Sequence, residues 1–66
     1  MKTTFLVEDP KTGHVLEYYR LLTTAKAVVK NHHPEAVILK LVGPAFGEGV
    51  HKYRLQYIKG KFKKVI

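Results

Sequence analysis

The chain has no cysteine, no serine and no tryptophan in its 66 residues, and each gap removes a class of chemistry. Without Cys there is no disulfide, no thiolate zinc site and no thiol nucleophile. Without Ser, the aliphatic hydroxyl nucleophiles reduce to Thr, and no base falls at a spacing that would activate one. Carboxylates are scarce as well: five against twelve Lys and Arg, for a net charge of +7. His14 and Glu17 sit three apart on a strand and face opposite ways. The histidines His14, His32, His33 and His51 are dispersed, without an HExxH pattern or a compact His–carboxylate spacing. Adjacent His32 and His33 on a helix would point about 100° apart, so no metal site is expected.

Long apolar runs are missing too. None approaches the roughly 18 residues of a membrane span. The opening stretch reaches Glu8 and Asp9 too early for a signal peptide, so a cytoplasmic location is expected. A chain this short buries only about 60% of its unfolded surface, which leaves little room for a substrate pocket of the usual size, about 300–1,000 Å³. The expectation is a protein that is not an enzyme and carries no cofactor.

What is present argues for a folded chain. Apolar residues make up 45% of the sequence, an ordinary share for a globular domain. Thr3 to Glu8 reads as a strand, because Thr, Phe and Val suit a pleated surface. Asp9-Pro10-Lys11-Thr12-Gly13 is a turn signal, and His14 to Leu21 should return antiparallel. Thr23 or Thr24 is placed to cap a helix running Thr24 to His32, with Leu21, Ala25, Val28, Val29 and His32 on one stripe. Pro34 ends it. Ala36 to Val42 is almost continuously apolar and reads as the most buried, central strand. Gly43 to Gly49, with three glycines and a proline, is a loop. Val50 to Ile58 and Lys61 to Ile66 form two further strands around a tight turn at Lys59-Gly60. The predicted fold is a small two-layer α+β domain in ββαβββ order, spanning 1–66. Its sheet is mainly antiparallel, with one short helix packed on one face.

The charge is lopsided. Met1 to Glu48 carries six Lys and Arg against five acids, whereas Gly49 to Ile66 carries six Lys and Arg and no acid. Such asymmetry points to a polyanionic partner; the competing explanation is a lysine-guarded edge that blocks strand addition. Alternation in the fourth strand sends Tyr53, Leu55 and Tyr57 to one face and Lys52, Arg54 and Gln56 to the other. Lys59 and Lys61 flank the turn, and Lys63 and Lys64 take opposite faces of the last strand. The candidate nucleic-acid-binding residues are therefore Lys52, Arg54, Lys59, Lys61, Lys63 and Lys64. Lysines act there as point charges on phosphate, and Arg54 has the fork to read a guanine edge. Lys26, Lys30 and His33 form a secondary basic helix face. Tyr18, Tyr19, Tyr53, Tyr57 and Phe62 include candidates for base stacking, although aromatics on strands more often fill a core.

These features predict a small accessory protein that binds DNA or RNA mainly electrostatically through its C-terminal hairpin. The alternative is a protein-interaction module, an adaptor or inhibitor of the type encoded by phages and mobile elements, docking on a larger acidic partner. Phe46, at the tip of the glycine-rich loop, would be its anchor. Open sheet edges also leave a homodimer available. No motif carries a resemblance to a known family.

Overall fold

The computed structural model describes residues 1–65. In chain order the elements are β1 (Lys2–Glu8), β2 (Val15–Tyr19), α1 (Leu22–His32), β3 (Val37–Gly43), β4 (Val50–Ile58) and β5 (Lys61–Val65). The ββαβββ order and the α+β class match the sequence reading. Ile66, which that reading gave to the last strand, lies outside the described residues. No helix among the described residues is long and apolar enough to cross a membrane.

All five strands form one sheet in the order β2-β1-β3-β4-β5. Every neighbouring pair is antiparallel. β2 and β3 flank β1 and so run parallel to each other, and α1 connects them across one face. The first turn follows the residues that predicted it. The Asp9 carboxylate accepts from the Lys11 N–H at 2.9 Å, and the Gly13 N–H donates to the Asp9 carbonyl at 2.8 Å.

β3 is the middle strand, as its apolar run predicted, and it is buried on both faces. Ile38 is fully buried on the helix side with Val7, Ala25 and Val29, and Phe5 and Leu55 complete that core. Leu39 and Leu41 point to the far side, where they pack with Leu6 and Val15. The helix differs from its prediction at its start. It begins at Leu22, with Leu21 as the N-cap residue and no side-chain cap, so Thr23 and Thr24 lie inside the first turn. Its inward stripe is Leu22, Ala25 and Val29, whereas Leu21 is left 63% exposed. The other end is conventional. The His33 N–H donates to the carbonyls of Val28 and Val29, Pro34 follows, and Lys30 and His32 in the last turn oppose the negative end of the helix dipole.

One helix does not cover the whole sheet. α1 packs on β1, β2 and β3, and β4 and β5 extend beyond it. On the far face, a loop does the covering. The Gly47 N–H donates to the Thr4 hydroxyl oxygen at 2.7 Å, and Thr4 is fully buried beneath it. The loop closes where the backbones of Gly43 and Gly49 touch: a Cβ on Gly43 would run into the Glu48 carbonyl oxygen and the Gly49 Cα. The glycine-rich segment is thus a packed cover. Gly43→Ala is expected to lower stability by about 1–3 kcal/mol, the usual cost of forcing atoms into filled space. Urea unfolding measures it as a lower midpoint at unchanged slope.

Candidate nucleic-acid interface

The hairpin of β4 and β5 turns through Lys59 and Gly60, whose φ values of 50° and 80° are both positive. Two central residues of this kind make a type I′ turn, the two-residue connection whose twist fits a hairpin. Gly adopts such a conformation freely, whereas a residue with a Cβ is strained by about 1–2 kcal/mol. Lys59 occupies the position where Asn is the usual choice. Cross-strand pairs run from Ile58↔Lys61 through Gln56↔Lys63 to Arg54↔Val65.

That register distributes the predicted cations over two faces. Arg54 pairs with Leu39 of β3 and therefore lies on the face opposite α1, together with Lys61 and Lys63. Arg54 and Lys63 are diagonal neighbours there, about 7–8 Å apart. All three are exposed. Lys64 pairs with Leu55, a core residue, and so lies on the helix side. Lys52 departs from the predicted alternation. Lys40 pairs with Tyr53 and Leu41 with His51, leaving Lys52 as the extra residue of a β-bulge. His51 takes the position opposite Leu41. Bulges re-aim side chains and bend a strand, and no alternation signal in the sequence marks this one. Among the described residues, His51, Lys52, Arg54 and Lys64 line a groove of about 460 Å³ with Leu39, Tyr53 and Val65, a volume within the usual pocket range that the length of the chain was not expected to supply.

The helix side of the hairpin is aromatic. Tyr53, Tyr57 and Phe62 are half-buried and pack at the margin of the main core. Tyr57 and Phe62 sit 4.8 Å apart, centroid to centroid, with their planes inclined at 47°. Lysines lie over these rings. The ammonium groups of Lys64 and Lys40 are 5.1 and 5.3 Å from the Tyr53 ring centre, and that of Lys26 is 5.4 Å from Phe62. Lys40 does not figure among the residues singled out from sequence, where it reads only as a break in an apolar run. The β3–β4 register, which sequence does not supply, sets it against Tyr53.

The secondary helix face does not hold together as one basic surface. Lys26 reaches toward β5, Lys30 is exposed, and His33 turns toward β2, its Nε2 3.3 Å from Glu17 Oε2. Glu17 also accepts a 2.6 Å hydrogen bond from the Tyr19 hydroxyl. Phe46 lies far from the hairpin, over β1 and β2. It is 39% exposed, with its ring 6.2 Å from that of Tyr18 and the Arg20 guanidinium 5.2 Å from its centre. Of the adjacent pair, Tyr18 is the outward tyrosine at 51% exposure. Among the described residues, no three His, Asp or Glu side chains converge. No known protein family, curated protein or solved structure matches the chain.

The Tyr19 phenol is held above its ordinary pKa of 10.0, first by its hydrogen bond to Glu17, then by burial and by the charge of that carboxylate. The folded state therefore keeps this proton longer than the unfolded chain does. The contact contributes fully below the ordinary tyrosine value and is lost as pH rises through the raised one. In a near-ultraviolet absorbance titration, Glu17→Gln should bring the ionisation of Tyr19 down toward the ordinary value.

Proposed function

We propose that the protein is a small, non-enzymatic, cytoplasmic accessory protein that binds nucleic acid mainly by electrostatic attraction to the β4–β5 hairpin. One observation carries this reading. Among the described residues the two ion pairs are Lys11–Glu35 and His33–Glu17, and both lie outside the hairpin. Among the described residues its six Lys and Arg have no carboxylate partner, and the segment from Gly49 onward contains no Asp or Glu. Neighbouring unneutralised cations repel one another, and a phosphate backbone relieves that repulsion while releasing its own counterions.

Lys59 adds support. A lysine in a left-handed turn position costs stability that Asn or Gly would spare, and a strained residue of this kind is a reasonable marker of function. Lys59→Asn should therefore raise the urea midpoint and weaken nucleic-acid binding together. A gain in stability with unchanged affinity would remove Lys59 from the interface.

The direct test is fluorescence anisotropy with labelled single- and double-stranded DNA and RNA, titrated across a range of salt. With four of the cations in and around the hairpin each neutralising one phosphate, log K against log salt should have a slope of about −3 to −4. Lys59→Glu/Lys61→Glu should abolish binding without unfolding the protein. A slope near zero would falsify the electrostatic reading.

A second reading, docking on an acidic protein, rests on the opposite corner of the sheet. There Tyr18 and Phe46 are 51% and 39% exposed beside Arg20, a mixed apolar and cationic patch suited to a protein surface. Phe46→Ala would weaken such docking and leave nucleic-acid binding unchanged.

A further inference from the structure

We propose that the helix-side ledge of the hairpin is a binding site for single-stranded nucleic acid, with bases stacked on Tyr53, Tyr57 and Phe62 and phosphates held by Lys26, Lys40 and Lys64. This rests on the nucleic-acid reading of the hairpin and adds to it the face used and the class of ligand.

The two faces of the hairpin differ in what they can recognise. The face opposite α1 carries Arg54, Lys61 and Lys63 beside Gln56, Ile58 and Val65, with His51 at its other end, and has no Tyr or Phe; it offers mainly charge. The helix-side ledge combines charge with half-buried rings at the margin of the core that α1 covers. Three lysine ammonium groups lie 5.1–5.4 Å from the centres of those rings. Every base has a π face, and stacking on an aromatic side chain therefore tolerates any sequence. A single strand presents both bases and phosphates, and this ledge offers both a ring and an ammonium: Lys40 and Lys64 lie over Tyr53 and Lys26 over Phe62, while Tyr57 packs on Phe62. A duplex keeps its bases stacked on one another and can offer the ledge only its phosphates. The lysines come from three elements, α1, β3 and β5, which makes the ledge a product of the fold rather than of one basic run.

The test uses the intact protein and its own signal. It has four tyrosines and no tryptophan, so its fluorescence reports the tyrosines directly. Three ligands of equal length are titrated: oligothymidylate, an abasic oligonucleotide with the same phosphates, and a duplex. Oligothymidylate is expected to quench the tyrosine emission and to bind about tenfold or more tightly than the abasic strand, since each stacked base contributes that order of affinity. Lys40→Gln/Lys64→Gln should weaken oligothymidylate binding more than Arg54→Gln/Lys63→Gln, although both pairs remove two charges. These lysine variants leave the aromatic packing in place and so avoid the folding risk of replacing a tyrosine. Equal, salt-sensitive binding of all three ligands overturns the stacking ledge and leaves the electrostatic reading standing. Tighter binding of the duplex does the same, and so does a larger loss in the Arg54/Lys63 variant. Binding of none of them overturns both.

Discussion

A helix of eleven residues is about 16 Å long and roughly 10–12 Å across with its side chains. Five strands spaced about 4.8 Å apart span some 19 Å between the outer two. The helix cannot roof that width, and most features of the molecule follow from the shortfall. α1 lies where the connection from β2 to β3 places it, over β1 and its two neighbours. The far face of those strands is closed by the loop between β3 and β4. The surface of β4 and β5 is shielded instead by their own tyrosines and phenylalanine, with lysines of α1, β3 and β5 laid over the rings.

The same shortfall explains why structure and binding chemistry meet in one place. A core margin roofed by lysine stems and tyrosine rings is stable enough to fold, yet keeps its polar ends in water. Each ammonium–ring contact contributes about 0.5–1 kcal/mol at such sites, little enough for a ligand to displace. A polyanion gains access to both the charge and the ring without dismantling the helix-packed centre, where Val7, Ile38 and Val29 are wholly buried.

Local chemistry made much of the fold legible in the sequence. Asp9-Pro10 and Lys59-Gly60 marked their turns, the run from Val37 to Val42 marked the central strand, and alternation placed Tyr53, Leu55 and Tyr57 on the core side of β4. Features set by distant contacts were not legible. The helix starts at Leu22, which packs on the sheet, and no threonine caps it, so the two candidate caps misplaced its first turn; of the expected stripe Ala25 and Val29 face the core, while Leu22 takes the place given to Leu21. The bulge at Lys52 depends on how β4 registers against β3. The partnership of Lys40 with Tyr53 depends on the same register. The candidate site was therefore legible as a set of charges on a hairpin, while their division between two faces required the fold.

β5 pairs in the sheet with β4 alone, and every one of its described side chains is at least partly exposed. Its amide protons are thus held by one ladder and little buried area, which places the strand at the low end of the local opening energies within the domain. In hydrogen-exchange terms, β5 forms an outer unit that can part from β4 while β1, β3 and α1 stay closed. A polyanion lying across both strands would act as a clamp on that opening. Its affinity would then be readable as slowed exchange in the last strand, in proportion to its concentration over Kd.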